Sequence, residues 1–444
     1  MPKLHLISLG CAKNLIDGEV MLAKLKDYEI TQEIANADLI IVNTCGFIEA
    51  AKKESVEAIL IAAKRRKKGA ALVVSGCLTE RYRDELAKEL PEVDIFTGVG
   101  DYARIDEIIA QKRNVFSDRV FLQTDENRVV TESAYHAYIK IAEGCNQRCS
   151  FCAIPSFKGR LQSRSIKSVT DEIAALTKKG YFDFTLIAQD TSSYGRDLGY
   201  KEGLCDLIEA IDAIDGVKRA RICYLYPATT SLKLIDIVAK SKCFAPYFDM
   251  PIQHISDAML KTMRRGLNAN RTMELIKRMR SVKNAWIRTA FIIGHPRESD
   301  EDFEMLCEII KSGIFDRVSL FAFSDEEGTT ANTMRDKIDA KTIQKRLKIA
   351  QKLLKQAHKK RLKAMVGEII DAAIDAESEE SEYLIAAKNL DWSPRIDPPI
   401  LINESLVSSL ATGAIGRAEI VASTDLCLIA RLIDLQGGDA DGGA

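Results

Sequence analysis

The sequence predicts an α/β fold class in three successive blocks: a parallel α/β sheet, a partial (βα)6 barrel and a small all-β barrel. Two patterns carry this prediction. As far as residue 366, short apolar runs alternate with amphipathic segments of helix length; beyond it, the apolar runs are short and strand-like. A chain of 444 residues is long enough for two or three such cores.

In the first block, strand-like runs at 4–9, 39–43 and 72–75 alternate with helical patterns at 19–26, 50–66 and 79–89, as in a parallel sheet. Residues 112–133 are polar and lack helical periodicity, which places a boundary there. The second block repeats strand then helix, with strands at 138–142, 184–188, 220–225, 247–252, 286–293 and 318–321. Parallel strands joined by crossovers make most of a barrel, and ligands gather at their C-terminal ends. Positions 341–366 hold ten Lys/Arg and no Asp/Glu, with Ile343, Leu347, Ala350, Leu354 and Ala357 on one helical face. Runs at 368–374, 383–387, 400–403, 417–422 and 426–433 then read as a barrel of about five strands. The expected domains are 1–120, 131–366 and 367–436, and the Gly-rich end, 437–444, is expected to be disordered.

With 63 basic and 64 acidic residues, total charge names no partner. Its distribution says more: residues 367–444 hold 15 Asp/Glu against 4 Lys/Arg, so an acidic block follows a basic helix. No apolar run approaches the roughly 18 residues that cross a bilayer, and the opening residues lack a signal peptide's apolar core. Eleven cysteines in so long a chain are not a disulfide framework; their clustering points to ligation in a reducing cytoplasm.

Cys145, Cys149 and Cys152 stand in Glu143-Gly144-Cys145-Asn146-Gln147-Arg148-Cys149-Ser150-Phe151-Cys152, directly after the second block's first strand. One tight loop can turn three sulfurs toward one centre, and soft thiolates select iron–sulfur clusters or zinc over magnesium or calcium. A closed zinc site needs a fourth local ligand, and the closest histidine, His136, stands before the strand. Three ligands on a four-iron cluster leave one iron open. The first block has its own set: Cys11 follows Ser8-Leu9-Gly10, Cys45 follows Asn43-Thr44, and Cys77 follows Ser75-Gly76. In a parallel sheet the strand ends share one edge, so ligation outweighs simple burial here. Cys205, Cys223, Cys243, Cys307 and Cys427 show no ligand spacing and read as small buried residues.

Three cysteines separated by three and then two residues, with an aromatic before the last, resemble the signature of radical S-adenosylmethionine (SAM) enzymes. With Gly10-Cys11, Asn43-Thr44-Cys45 and Gly76-Cys77 ahead of it, nearly the whole chain resembles the methylthiotransferases. The resemblance implies a methylthiotransferase domain, a radical SAM barrel and a C-terminal TRAM barrel. It also implies two [4Fe-4S] clusters: one on the catalytic Cys145, Cys149 and Cys152, the other on Cys11, Cys45 and Cys77. SAM on the first would yield a 5′-deoxyadenosyl radical, and sulfide on the second, methylated by another SAM, would leave as methylthio. Gln189 and Asp190, after the second strand, and Arg288, in the fifth, are the expected cofactor-binding contacts to SAM. A structural carboxylate would serve Arg288 equally well. A reductant such as flavodoxin or ferredoxin is implied as a partner.

Ser8-Leu9-Gly10-Cys11-Ala12-Lys13-Asn14, Phe151-Cys152-Ala153-Ile154-Pro155 and Asp249-Met250-Pro251-Ile252-Gln253-His254 resemble the RimO branch of that family. That branch methylthiolates the β-carbon of an aspartate in ribosomal protein S-twelve; the tRNA-modifying branches read differently at the first and last of these places. Independently of the family, a domain gripping tRNA phosphates should be basic, whereas an acidic barrel suits a Lys/Arg-rich ribosomal protein. The basic helix could touch ribosomal RNA, pack on the acidic barrel, or be solvated. Arg297, in Gly294-His295-Pro296-Arg297-Glu298, stands where the family has Gly, and Asp17-Gly18-Glu19 replaces Asp-Ser-Glu. The expectation is a cytoplasmic enzyme acting on S-twelve, with neither membrane nor tRNA as partner. The alternatives are a methylthiotransferase of tRNA adenosine and a non-catalytic iron–sulfur or zinc scaffold that binds nucleic acid.

Overall fold

The computed structural model describes residues 1–118, 120–123, 128–378, 381–405 and 410–436, so the expected disorder at 437–444 lies outside the described residues. The first block is a parallel sheet of five strands in the order Glu29–Ile30, Lys3–Ser8, Leu39–Thr44, Ala71–Gly76, Ile95–Phe96. The two edge strands absent from the sequence reading are two residues long, too short to show any alternation. Leu39–Thr44 is buried at every position, which is why it reads as an unbroken apolar run. The first helix spans Ala12–Lys24 rather than starting near 19. Its first turns bury Lys13, Asn14 and Asp17, and buried polar residues erase the apolar period that would have announced them.

The second block is a six-stranded parallel sheet in chain order: His136–Lys140, Asp183–Ile187, Arg219–Ile222, Phe244–Asp249, Trp286–Ile293, Arg317–Ala322. Five of its helices start where short polar side chains accept a backbone N–H: Ser165, Ser231, Ser256, Asn268 and Ser299 all cap this way. Each such cap contributes about 1 kcal/mol. The largest apolar core lies between these strands and helices.

The third block is a closed barrel ordered Ile369–Ser378, Ser381–Asn389, Ile400–Ser405, Leu428–Leu435, Ile415–Ser423. It docks on the central sheet through Trp392, whose ring lies 4.1 Å from that of Trp286, and through Arg221, which pairs with Asp183 and donates to the Leu390 carbonyl. The basic helix, Ala340–Ala364, packs instead of standing free. Ala350 and Leu362 are buried, Arg346 pairs with Glu298 at 2.7 Å, and Lys355 and Lys359 reach Asp425 of the barrel at 2.9 and 3.1 Å. Of the three roles open to it, packing is the one the structure displays.

The polar stretch between the first two blocks is likewise fastened. Arg128 is buried between Glu19 of the first block and Glu172 of the second, and Gln123 also donates to Glu172. Beside it a second buried set crosses the same seam. Lys140 pairs with Asp17 and Glu143, and Lys158 lies 3.3 Å from Asp17 and 3.7 Å from Glu143.

Candidate active site

The C-terminal edges of the two parallel sheets face one cavity of about 440 Å³, and all six singled-out cysteines line it. Cys11 caps the helix after the first strand, Cys45 follows Leu39–Thr44, and Cys77 opens the helix after Ala71–Gly76. Glycines let these three loops touch. A Cβ on Gly10 (φ +85°) would stand 2.7 Å from the Cys45 Cβ, and one on Gly76 (φ +104°) 2.5 Å from the Thr44 carbonyl oxygen. Asn14 ties them together: its amide donates to the Leu9 and Thr44 carbonyls, and its Oδ1 faces Cys77 Sγ at 3.6 Å.

The other triplet is held by its own loop. Gly144 (φ +77°) passes so close to Arg160 that a Cβ would lie 2.2 Å from the carbonyl oxygen there, and Cys145 N–H donates to the Gly159 carbonyl. Ser150, between the cysteines, is gripped by Met263 and Ala331 backbone groups, and its hydroxyl meets His295 Nε2 at 2.9 Å. His295 Nδ1 lies against the Pro296 carbonyl, an acceptor, so Nε2 is left to accept from the serine. Arg297 adopts φ +71° and is held by Asp336. It takes the left-handed conformation that a Gly would adopt without strain, which reconciles this loop with the family pattern.

Burial pushes the Cys77, Cys145 and Cys152 thiols up to about 12, and raises Cys45. Buried thiols of this kind ionise when a metal centre supplies the positive charge. Among the described residues no three His, Cys, Asp or Glu side chains are arranged to hold a single metal ion. Polar atoms of several cavity residues are buried without a protein partner: Gln189 Oε1, Gln253 Oε1, Arg265 Nε and Arg288 Nε. Donors and acceptors orphaned around one cavity are what a polar cofactor would satisfy.

Of the expected SAM contacts, all three line this cavity. Gln189 donates to Glu143. Asp190 is heavily engaged, accepting from Gln147 at 2.8 Å and Ser193 Oγ at 2.6 Å. Arg288 pairs with Asp249 at 2.7 Å, so it has its structural carboxylate and a cavity position together. His254 of the quoted motif does not reach the site: it is buried, with Nδ1 accepting from the Ile255 and Ser256 N–H groups. The five other cysteines are buried away from the cavity.

Sequence reasoning missed Lys158, Arg265 and Tyr224. Arg265 stacks on Tyr226 and donates to Cys149 Sγ at 3.1 Å. Burial opposes the Lys158 charge, yet Glu143, Tyr102 and Asp17 hold that ammonium protonated well above the usual lysine range. Nothing local marks a lysine destined for burial. Tyr224 and Gln253 take positive φ, which no side chain but Gly advertises.

Matches to known proteins fit this geometry. Residues 139–310 match the radical SAM superfamily and residues 3–98 match the uncharacterized protein family UPF0004. A relative from a Nitratiruptor species, named ribosomal protein uS12 methylthiotransferase RimO, is 54% identical over 94% of this chain and 96% of its own. The chain belongs to the RimO methylthiotransferase family. RimO relatives from a Sulfurovum species and from Campylobacter jejuni (strain RM1221) are 52% and 53% identical, covering 97% and 98% of this chain and 98% and 99% of theirs. Membership in RimO makes the chain a radical SAM methylthiotransferase. The fold is shared more widely: the radical SAM methyltransferase TsrM from Kitasatospora setae, with tryptophan and a SAM analogue bound, superposes with a TM-score of 0.54 at 14% identity, over 72% of this chain and 73% of that one.

Proposed function

We propose that this chain methylthiolates the β-carbon of an aspartate in ribosomal protein uS12, at the cavity shared by the two cysteine triplets. The observation that carries the reading is that sharing: a radical formed beside Cys145, Cys149 and Cys152 and a sulfur carried beside Cys11, Cys45 and Cys77 must reach one carbon. The donor set fits two [4Fe-4S] clusters, since three soft thiols stand on each side, and the four that burial pushes up, Cys45, Cys77, Cys145 and Cys152, ionise when a metal supplies positive charge. When bound, the clusters and SAM supply reductive cleavage and a carbon radical, chemistry beyond any side-chain base.

The protein's own residues position and enclose. Gln189, Asp190 and Arg288 contact SAM at the ends of the central strands. Arg265 places a fixed positive charge on Cys149. Phe151, Phe323 and Ile292 form an apolar wall that limits water around reactive species. The three units are 1–120, 131–366 and 367–436. The acidic barrel suits a basic polypeptide substrate, and a cytoplasmic flavodoxin or ferredoxin would deliver the electron. Among the described residues no helix is long and apolar enough to cross a membrane.

Mass spectrometry of uS12 after anaerobic incubation with the reconstituted enzyme, SAM, sulfide and reductant tests this. One added methylthio group on an aspartate is the expected result. Methylthio-adenosine in tRNA beside unmodified uS12 would overturn it.

A further inference from the structure

Four basic side chains line the cavity: Lys13, Lys158, Arg265 and Arg288. Lys158 is matched by Asp17 and Glu143, Arg288 by Asp249, and Arg265 is spent on Cys149 Sγ and the Pro251 carbonyl. Lys13 differs from all three. It is only 8% exposed, yet among the described residues no carboxylate pairs with it. Its Nζ instead stands 3.6 Å over the Tyr224 ring. A ring face offsets little of the cost of burying an ammonium. Position adds to that cost, because Lys13 lies in the first turn of Ala12–Lys24, where the helix's positive end disfavours a cation.

The platform beneath it is built at some expense too. Tyr224 adopts φ +66°, held there by its N–H donating to Asp249 Oδ2 at 3.1 Å. A buried cation with no carboxylate partner among the described residues, set on a strained aromatic inside a cavity, is suited to receive an incoming carboxylate. SAM and the substrate aspartate each bring a carboxylate. Lys13 stands two residues from Cys11, on the sulfur-transferring side, whereas the orphaned atoms of Gln189 and Arg265 stand on the radical-forming side. The aspartate carboxylate is one bond from the carbon to be modified, so its holder fixes where that carbon sits.

We infer that Lys13 holds the side-chain carboxylate of the substrate aspartate and so selects aspartate over neutral substrates; this rests on the uS12 reading above. Lys13 is thus a substrate-positioning residue on the N-terminal domain.

The test compares binding of uS12 and of its aspartate-to-asparagine form to the reconstituted enzyme, by calorimetry without reductant. The wild-type enzyme should prefer the aspartate form by about ten- to a hundredfold, the range of a charge-assisted hydrogen bond. Lys13→Met should drop the aspartate form to the affinity of the asparagine form, and Lys13→Arg should restore part of the preference. Undiminished discrimination by Lys13→Met, or a loss of SAM affinity with discrimination intact, overturns the assignment. Should Lys13→Met fail to load iron, the wild-type comparison decides, and equal affinity for the two forms overturns it. Failure of the wild-type enzyme to modify uS12 at all would instead sink the parent reading.

Discussion

The two cysteine triplets meet in one cavity but are built by opposite means. Cys145, Cys149 and Cys152 come from one loop, where spacing alone brings three sulfurs together and Gly144 supplies the bend. Cys11, Cys45 and Cys77 come from three loops distant in sequence, and only the shared edge of a parallel sheet assembles them. A local site tolerates change in the surrounding fold. A topological site depends on strand register, on the glycines that let loops touch, and on Asn14.

The largest effect should come from separating the two chemistries. Cys149→Ala should abolish SAM cleavage. Cys45→Ala should leave 5′-deoxyadenosine formation while blocking methylthio transfer to uS12, read by chromatography and mass spectrometry of one reaction. Loss of both activities in each variant would mean that the sites are not independent.

A smaller effect exposes the difference in construction. Gly76→Ala places a Cβ 2.5 Å from the Thr44 carbonyl at a φ of +104°, and Asn14→Ala removes the clasp among three loops. Each should cost about 1–3 kcal/mol and lower iron from about eight per chain toward about four. Iron analysis and the SAM-cleavage assay check this; equal loss from both sites would erase the contrast.

Acid should produce the mildest asymmetry. Burial depresses His254, His295 and His358 to about 4 and holds His136 well below its ordinary value, and all four lie after the first block. A histidine held neutral in the folded state stabilises fully above its ordinary value near 6.5, and that stability drains away as pH falls toward about 4. Each contributes at most about 1.4 kcal/mol per pH unit in that window. Urea unfolding followed by Trp286 and Trp392 fluorescence should weaken from pH 7 to pH 5, with a shallower slope in His254→Gln. A pH-independent midpoint would show that these rings do not matter to the central region.

Much of this architecture was legible because apolar periodicity is a local property. The six central strands, the barrel and the local triplet all announce themselves within a few residues. The placement of Cys11, Cys45 and Cys77 was readable too, because each follows a strand end. What stayed hidden depends on burial of polar groups. Lys13, Asn14 and Asp17 concealed the start of the first helix, and Lys158 and Arg265 look like ordinary surface cations until tertiary contacts enclose them. The edge strand Ile95–Phe96 is set by pairing with Ala71–Gly76, not by any pattern of its own.

The buried charges along the seam between the first two blocks have an evolutionary corollary. Asp17, Lys140, Glu143 and Lys158 are mutually dependent, and losing any one strands a charge where water cannot reach it, at a cost of several kcal/mol. Single substitutions there are therefore closed off, and the quartet can drift only by coordinated replacement. The exposed carboxylates of the barrel face no such constraint and can be exchanged one at a time. Change at the barrel surface is thus cheap, whereas change at the seam would move the two cysteine triplets relative to each other.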